Sequence, residues 1–322
     1  MNRIFDVPYK TVGNTTLHVD IHYPKGFNNE KIPVAVYIHG GGWLGGSKNI
    51  IGSKWGRFSE CILEKNIAVV CVQYRLCNKI LKRAARAAGV VNPLLKFFTK
   101  FKKTKKTALK FQKSLSKFPK SLIKDATVKY PQPCVDVMDA LRFIVKNADI
   151  YNFDTEHMAV FGGSAGGHLS LLAGVAQNIY REDNEYKDID FKINCIGDIC
   201  GPTELLSKSP EMNTEGKLTL LNFLGVWKLS FHKKKIKELS PITYVREGLP
   251  PLGIFHSEND ELVPVTQSYK IEKAWRKKGN LVETTYVTGY THSLGDLSNV
   301  AKNISFEEIA NKLADFICRY IV

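Results

Sequence analysis

Two kinds of apolar segment alternate along the chain. Short runs rich in β-branched residues are typical of strands that are buried on both faces. They occur at residues 32–38, 67–74, 158–162, 193–200, 252–256 and 281–287. Segments with apolar residues at helical spacing separate them, at residues 53–65, 131–147, 165–177, 265–278 and 305–320. This alternation predicts the α/β class, with a mostly parallel central sheet and helices on both of its faces.

The N-terminal part of the chain shows a different pattern. Residues 3–12 and 15–24 are predicted to form a hairpin with Gly13 and Asn14 at the turn. Leu17, Val19 and Ile21 alternate with polar neighbours, as on a half-buried strand. Residues 202–250 show no sustained period and are predicted to be irregular. We expect residues 1–322 to form one domain.

Composition sets the broad class of protein. The chain has 322 residues, of which 44% are hydrophobic, so a large core is available. No apolar run approaches the ~20 residues that span a membrane, and the N-terminus has no apolar stretch of signal-peptide length. The seven cysteines are scattered and lack the close pairs of metal sites. These features predict a cytoplasmic protein with reduced thiols in its core.

The charge of the chain is concentrated in one segment. The sequence has 46 Lys and Arg against 31 Asp and Glu, a formal net charge of +15. Residues 77–129 hold 16 of the bases and one acid, which leaves 30 of each elsewhere. Apolar residues recur there at seven-residue spacing in two rows, which predicts a basic amphipathic helix of roughly 25 residues.

Several roles are open for this basic segment. It can pack on the protein's own core with its lysines in solvent, or contact an anionic membrane surface, where each Lys contributes ~1 kcal/mol. We expect no nucleic acid partner, because the lysines are not interleaved with Tyr or Trp. The segment follows the end of a predicted parallel strand, at the sheet edge where ligands bind. It can therefore also serve as a lid.

A glycine-flanked serine is the first candidate for chemistry. Residues 162–166 read Gly-Gly-Ser-Ala-Gly, between an apolar strand and a helix. This G-x-S-x-G pattern is typical of a nucleophile elbow, in which small neighbours permit a strained turn that exposes the serine hydroxyl. Ser164 is therefore the predicted nucleophile. The N-terminus of the following helix points at the negative charge that develops during attack.

A run of glycines follows the strand at residues 32–38. Residues 39–43 read His-Gly-Gly-Gly-Trp, and glycines let the backbone approach a substrate carbonyl closely. Their N–H groups, with that of Ala165, can form an oxyanion hole. A phosphate-binding loop would require G-K-[ST] or G-x-G-x-x-G, and neither occurs here. We interpret His39, at the strand end, as structural.

Two loops near the C-terminus supply a candidate acid and a candidate base. Asp260 follows the strand at residues 252–256 and is the predicted acid that orients the imidazole, with Glu258 as the alternative. His292 lies in the loop after the strand at residues 281–287 and is the predicted general base. The chain order Ser, Asp, His is that of the α/β-hydrolases.

These motifs together resemble a known group of enzymes. Residues 15–76 and 128–320 are similar to α/β-hydrolase esterases of the hormone-sensitive-lipase-like and feruloyl or acetyl-xylan esterase-like kind, with the arylformamidases nearby. The resemblance is carried by these residues: His39-Gly40-Gly41-Gly42-Trp43, Tyr74-Arg75-Leu76, Gly163-Ser164-Ala165-Gly166-Gly167-His168, Gly201-Pro202-Thr203 and Ser240-Pro241-Ile242. The histidine loop, Tyr-Thr-His-Ser, and the insertion of about fifty residues after Leu76 depart from the family pattern.

The resemblance implies a function. Ser164, Asp260 and His292 would form the catalytic triad, and Gly41, Gly42 and Ala165 would donate to the oxyanion. The predicted activity is hydrolysis of a carboxylic ester through an acyl-enzyme, without a metal or cofactor. The alternatives are hydrolysis of an amide such as a formanilide by the same residues, and a non-catalytic, membrane-associated scaffold. The substrate would be a small-molecule ester with a short acyl, sugar or lipid group.

Overall fold

The computed structural model describes residues 2–77, 128–182, 184, 186–206, 214–226 and 228–322. The predicted basic amphipathic helix, with its possible roles as lid or membrane contact, lies outside the described residues. No helix within the described ranges is long and apolar enough to cross a membrane. The seven cysteines are free thiols, and six of them are buried, in agreement with the prediction of core thiols.

The described residues form eight strands and seven α-helices. The strands are β1 (Arg3–Val12), β2 (Thr15–His22), β3 (Ile32–Ile38), β4 (Ala68–Val72), β5 (Phe153–Gly163), β6 (Cys195–Ile199), β7 (Leu252–Ser257) and β8 (Val282–Val287). The helices are α1 (Gly56–Leu63), α2 (Gln132–Lys146), α3 (Ala165–Val175), α4 (Thr214–Leu224), α5 (Lys233–Leu239), α6 (Thr266–Lys277) and α7 (Phe306–Ile321). Short 3-10 turns occupy Leu229–Phe231 and Pro241–Tyr244.

The strands form one twisted sheet. Their order is β1-β2-β4-β3-β5-β6-β7-β8. Strand β2 runs antiparallel to β1 and β4, and all pairs from β4 to β8 are parallel. The prediction of a mostly parallel sheet is thus confirmed. Because the carboxyl ends of parallel strands share one edge, the loops after β3, β5, β7 and β8 meet there.

Strand β3 shows how the sheet buries both of its faces. Its residues point alternately to opposite faces, and nearly all of them are buried. Val34, Val36 and Ile38 join a core that includes residues of α2, α3 and α6. Ala35 and Tyr37 join the opposite core, with residues of α1 and α7. Helices on both faces therefore explain why the strands read as continuous apolar runs.

Buried ion pairs hold the two flanks of residues 78–127 together. Arg75 Nε and Nη2 donate to the two carboxylate oxygens of Asp136, each at 2.7 Å. Lys10 Nζ reaches the same carboxylate at 3.2 Å and Asp139 at 2.6 Å. Cys77 N donates to Trp43 O at 2.9 Å. The chain on either side of residues 78–127 is therefore fixed to β1, α2 and the glycine loop.

Two sequence predictions need correction. Residues 202–250 were expected to be irregular, but α4 and α5 lie there. Leu220 and Phe223 of α4 are buried, and Phe223 stacks on Trp43 with ring centroids 4.4 Å apart, so tertiary packing stabilises a helix that local periodicity did not show. Strand β5 begins at Phe153 rather than at residue 158, because Ile32 pairs with Phe153 ahead of the apolar run.

Candidate active site

Ser164 lies in a sharp turn between β5 and α3. Its backbone has φ +56° and ψ −117°, a conformation that costs a non-glycine residue of order 1–3 kcal/mol. Ser164 N donates to Ile199 O at 2.7 Å, and Ser164 O accepts from His168 N at 3.0 Å. The turn is thus held by β6 on one side and by the first turn of α3 on the other.

The glycines around Ser164 are required by close backbone contacts. A Cβ on Gly166 would lie 1.9 Å from Ile38 O, and a Cβ on Gly162 would lie 2.4 Å from the same oxygen. A Cβ on Gly163 would lie 2.3 Å from Cζ3 of the Trp55 ring. These contacts bring the serine turn against the end of β3, where the glycine loop begins.

We expect Gly166→Ala to destabilise the protein. The added methyl group would collide with Ile38 O, a backbone atom that cannot move without shifting β3, so we expect a loss of about 2–4 kcal/mol in the free energy of unfolding. Gly45→Ala is the matched control, because its Cβ would meet only Gly41 O at 3.9 Å. Denaturant unfolding followed by circular dichroism measures both. Equal stability of the two variants would contradict the described packing.

Ser164, His292 and Asp260 form a continuous chain of hydrogen bonds. His292 Nε2 lies 2.8 Å from Ser164 Oγ, and His292 Nδ1 lies 2.6 Å from Asp260 Oδ2. A carboxylate only accepts, so Nδ1 carries the proton and donates it to Asp260. In the neutral ring Nε2 is then an acceptor, and it can accept the hydroxyl proton of Ser164.

Asp260 is held as an ionised acceptor. Its Oδ1 accepts from Leu262 N and Val263 N, both at 2.8 Å, and its side chain is fully buried. Burial alone would raise the pKa of Asp260, but hydrogen bonds from His256 and His292 outweigh burial and hold this pKa well below 3.8. The carboxylate is therefore charged at neutral pH and can stabilise an imidazolium.

The alternative acid, Glu258, lies elsewhere. It is exposed, and its Oε1 accepts from the hydroxyl of Tyr269 at 3.4 Å. The structure thus brings Asp260, rather than Glu258, against the imidazole of His292.

Two further contacts fix the backbone of the histidine loop. Glu261 Oε2 accepts from His292 N at 3.0 Å, and Cys200 Sγ donates to His292 O at 3.6 Å. Burial alone would lower the pKa of His292, but the contacts with Cys200 and with the Asp260 carboxylate outweigh it and raise this pKa well above 6.5. Burial raises the pKa of the Cys200 thiol, so Asp260 is the charged partner.

This raised pKa predicts the pH dependence of any reaction that uses His292 as a base. The imidazole must be neutral to take a proton, so kcat/KM should rise with pH through a pKa well above 6.5. A profile of kcat/KM between pH 5 and 10 measures this, with circular dichroism at each pH as the control for folding. An acid limb below pH 6 would contradict the described environment of His292.

The glycine loop lies beside the serine turn. A Cβ on Gly40 would lie 2.6 Å from Gly163 O and 3.5 Å from Ser164 Cβ. Gly41 and Gly42 have φ of +105° and +61°, in the region that favours glycine. Gly41, Gly42 and Ala165 line the same cavity as Ser164 and His292.

His39 has the surroundings of a structural residue. It is buried, its ring stacks on Tyr74 with centroids 4.2 Å apart, and its Nδ1 lies 2.8 Å from Gly40 O. Burial lowers its pKa to about 4, so the ring is neutral. Tyr74 in turn donates to His39 O at 2.8 Å. His39 thus packs beneath the glycine loop.

The hydroxyl of Ser164 opens into a cavity of about 710 Å³. Its walls are mainly aromatic and aliphatic, from the glycine loop, α4 and the segment before α1. They include Trp43, Trp55, Ile50, Leu205 and Leu220. The volume lies within the range of small-molecule sites, and an apolar wall beside a few polar groups is typical of such sites.

One cluster has the composition of a metal site. Ligand atoms of Cys200, Asp260 and His292 all lie within 4.8 Å of one another. A thiol, a carboxylate and an imidazole are ligand types that bind zinc. Asp260 and His292 are already joined to each other and to Ser164 by hydrogen bonds, and these account for the cluster. We assign no metal to it.

Sequence reasoning overlooked two residues of the site. His256 donates to Asp260, and Glu261 accepts from the backbone of His292. His256 is in β7, four residues before Asp260, and Glu261 directly follows Asp260, so both were close to the predicted acid in the sequence. Their partners depend on how β7 and β8 lie side by side, and no local pattern shows this.

Comparisons with known proteins agree with this geometry. The family model BD-FAE matches residues 19–94 and 122–275 of the chain. Among curated proteins, the chain is 27% identical over 139 residues to LipM of Mycobacterium tuberculosis, described as a probable carboxylic ester hydrolase. It is 26% identical over 188 residues to Esterase LipQ of the same organism. These matches cover 43% and 58% of the chain but only 32% and 44% of the relatives, so the chain spans less than half of their length.

Solved structures show the same fold. A truncated carbohydrate esterase from gut microbiota superposes with a TM-score of 0.69 at 18% identity, covering 99% of this chain and 96% of the other. Esterase Est2 of Thermogutta terrifontis gives 0.67 at 19% identity, covering 97% and 90%. The predicted α/β-hydrolase fold is therefore confirmed.

Proposed function

The chain belongs to the BD-FAE family, and from this premise we propose that it is a serine hydrolase that cleaves carboxylic esters through an acyl-enzyme. The observation that carries the proposal is the chain of hydrogen bonds from Ser164 Oγ through His292 to Asp260. Ser164 and His292 line a cavity that the glycine loop also lines. These groups would supply a nucleophile, a base, an orienting acid and an oxyanion site in one place.

Acylation follows from the described geometry. His292 Nε2 takes the proton of Ser164 Oγ as the oxygen attacks the ester carbonyl. Negative charge moves onto the carbonyl oxygen, where the N–H groups of Gly41, Gly42 and Ala165 would donate to it. Asp260 stabilises the imidazolium. The tetrahedral intermediate collapses, the bond to the alcohol breaks, and His292 returns the proton to the leaving oxygen.

Deacylation repeats the sequence with water as the nucleophile. Water enters beside His292, gives it a proton and attacks the acyl carbon. The second tetrahedral intermediate uses the same N–H groups, then expels Ser164 Oγ, which recovers its proton from His292. Each residue thus ends in its starting state, and the products are an acid and an alcohol. None of these steps requires a metal or an organic cofactor.

The substrate class follows from the cavity. An apolar space of about 710 Å³ fits a small-molecule ester, with the acyl or alcohol group against the aromatic walls. We propose a carboxylic ester as the natural bond, because the relatives LipM and LipQ are described as a probable carboxylic ester hydrolase and an esterase. The predicted alternatives, a formanilide hydrolase and a non-catalytic scaffold, become outcomes of the test.

The test compares bond types on one preparation. We expect p-nitrophenyl acetate, butyrate and octanoate to be hydrolysed with kcat/KM far above that for N-formylkynurenine. A preference for N-formylkynurenine would favour the formamidase. No turnover, together with no covalent labelling of the wild type by a fluorophosphonate, would favour the scaffold. Intact mass before and after labelling shows whether one adduct forms per chain.

We also propose, from sequence alone, that the basic segment at residues 77–129 brings the protein to anionic membrane surfaces. Sixteen Lys and Arg and two apolar rows fit binding at a membrane surface. Flotation with vesicles of phosphatidylcholine and phosphatidylserine tests this, with pure phosphatidylcholine as control. We expect flotation only with the anionic lipid, and a variant lacking residues 90–125 should lose it. Equal recovery of both proteins would contradict the proposal.

A further inference from the structure

A second histidine contacts the same carboxylate oxygen of Asp260 that His292 contacts. His256 lies in β7, four residues before Asp260, and its side chain is fully buried. Its Nε2 lies 3.1 Å from Asp260 Oδ2 and 2.9 Å from Val263 O. Its Nδ1 lies 2.7 Å from Oγ of Ser268, in the first turn of α6.

The partners of His256 determine its tautomer. A carboxylate oxygen and a backbone carbonyl both accept, so Nε2 must carry the proton and donate. Nδ1 of the neutral ring is then an acceptor, and the hydroxyl of Ser268 donates to it. The hydrogen bonds therefore run in one direction, from Ser268 through His256 to Asp260. Asp260 Oδ2 thus receives two imidazole N–H donors, one from each histidine.

We infer that His256 is a positioning residue for Asp260. Its N–H group holds the carboxylate in place and partly neutralises the negative charge of Oδ2. The inference rests on the proposed function, since it assigns a role within the Ser164 reaction. Two backbone N–H groups already hold Oδ1, and His256 fixes the remaining oxygen, the one that faces His292. Ser268 links this contact to α6.

Other titratable groups surround the pair. Asp198 and Cys200, in and after β6, face it across the sheet edge, and burial raises the pKa of Asp198 to about 6. His292 approaches from the loop after β8. Asp198 and Cys200 give no hydrogen bond to Asp260 Oδ2 among the described contacts, and His292 already uses its Nδ1 proton there. Removal of His256 therefore leaves this oxygen with His292 as its remaining imidazole donor.

The loss of this donor has two measurable effects. Asp260 Oδ1 keeps its two backbone donors, but Oδ2 loses one of its two imidazole donors. The carboxylate is therefore held less firmly, fewer molecules hold His292 in line with Ser164, and kcat falls. The carboxylate charge acts more fully on His292, which raises the pKa of the base and moves the acid limb of kcat/KM to higher pH. A purely structural role would reduce the amount of folded enzyme but would not move this limb.

The experiment uses the full chain and three variants. His256→Leu removes the donor, His256→Gln keeps an N–H donor, and Ser268→Ala removes only the hydroxyl that contacts Nδ1. His22→Leu, in β2 and 2% exposed, controls for the loss of a buried histidine. Rates on p-nitrophenyl butyrate are divided by the sites that a fluorophosphonate labels, so that unfolded protein is not counted.

We expect kcat of His256→Leu to fall about tenfold, with KM changed by less than about twofold and the acid limb shifted upward by about 0.5 pH unit. His256→Gln should recover most of this rate, and Ser268→Ala should show a smaller change in the same direction. An unchanged kcat and limb in His256→Leu, or a His256→Gln variant as slow as His256→Leu, would overturn the inference. Absence of labelling and turnover in the wild type would instead overturn the proposed function.

Discussion

Ser164→Ala is expected to reduce kcat for carboxylic esters by about 10⁴-fold or more. The substitution removes the oxygen that would form the bond to the acyl group, the atom that lies 2.8 Å from His292 Nε2. It leaves the glycine loop and the cavity in place, so substrate binding should persist. The initial rate on p-nitrophenyl butyrate and the mass shift after fluorophosphonate treatment both report the result.

The control is a serine from the histidine loop. Ser298 is exposed, and Ser298→Ala should retain the rate and the covalent adduct of the wild type. Circular dichroism should show native spectra for both variants, since the backbone of the Ser164 turn is held by Ile199 O and His168 N, which the substitution leaves in place. Labelling of Ser164→Ala to the level of the wild type would show that another residue is the nucleophile.

Asp260→Asn is expected to reduce kcat by about 10³–10⁴-fold. Leu262 N and Val263 N require an acceptor at one end of the side chain, so the amide nitrogen of asparagine faces the two histidines. A donor there forces His292 into the opposite tautomer, with a proton on Nε2, and this nitrogen can no longer accept the proton of Ser164. The imidazolium also loses its counter-charge.

Glu258→Gln provides the matched control for this substitution. It makes the same chemical change two residues away, at an exposed carboxylate in contact with Tyr269, and should leave kcat within about twofold of the wild type. Rates on p-nitrophenyl butyrate for the two variants decide between the acids. A larger loss in Glu258→Gln than in Asp260→Asn would assign the role to Glu258.

Local patterns along the chain were enough to predict the parallel sheet and the turn at Ser164 between a strand and a helix. The strand before Ser164 is buried on both faces at its end, and the glycines on either side of Ser164 permit the close backbone contacts of the turn. Asp260 and His292 were predicted from chain order, because the ends of β7 and β8 share one edge of a parallel sheet with the end of β5. These features depend on short segments and on a general rule of topology.

The rest depended on long-range packing. Helix α4 is stabilised by contact of Phe223 with Trp43, 180 residues earlier in the chain, and its own period is weak. His256 is only four residues before Asp260, but its contacts depend on Ser268 in α6 and on the orientation of the Asp260 side chain. A single sequence contains these residues without indicating which of them meet.

The ion pairs around Arg75 and Asp136 also affect how the fold tolerates changes in the length of residues 78–127. They join the chain before residue 78 to the chain after residue 127 and to β1, whatever sequence lies between. A segment between fixed ends costs only about 0.6 kcal/mol more when its length doubles. We therefore expect the described part of the chain to stay assembled when the length of residues 78–127 is changed.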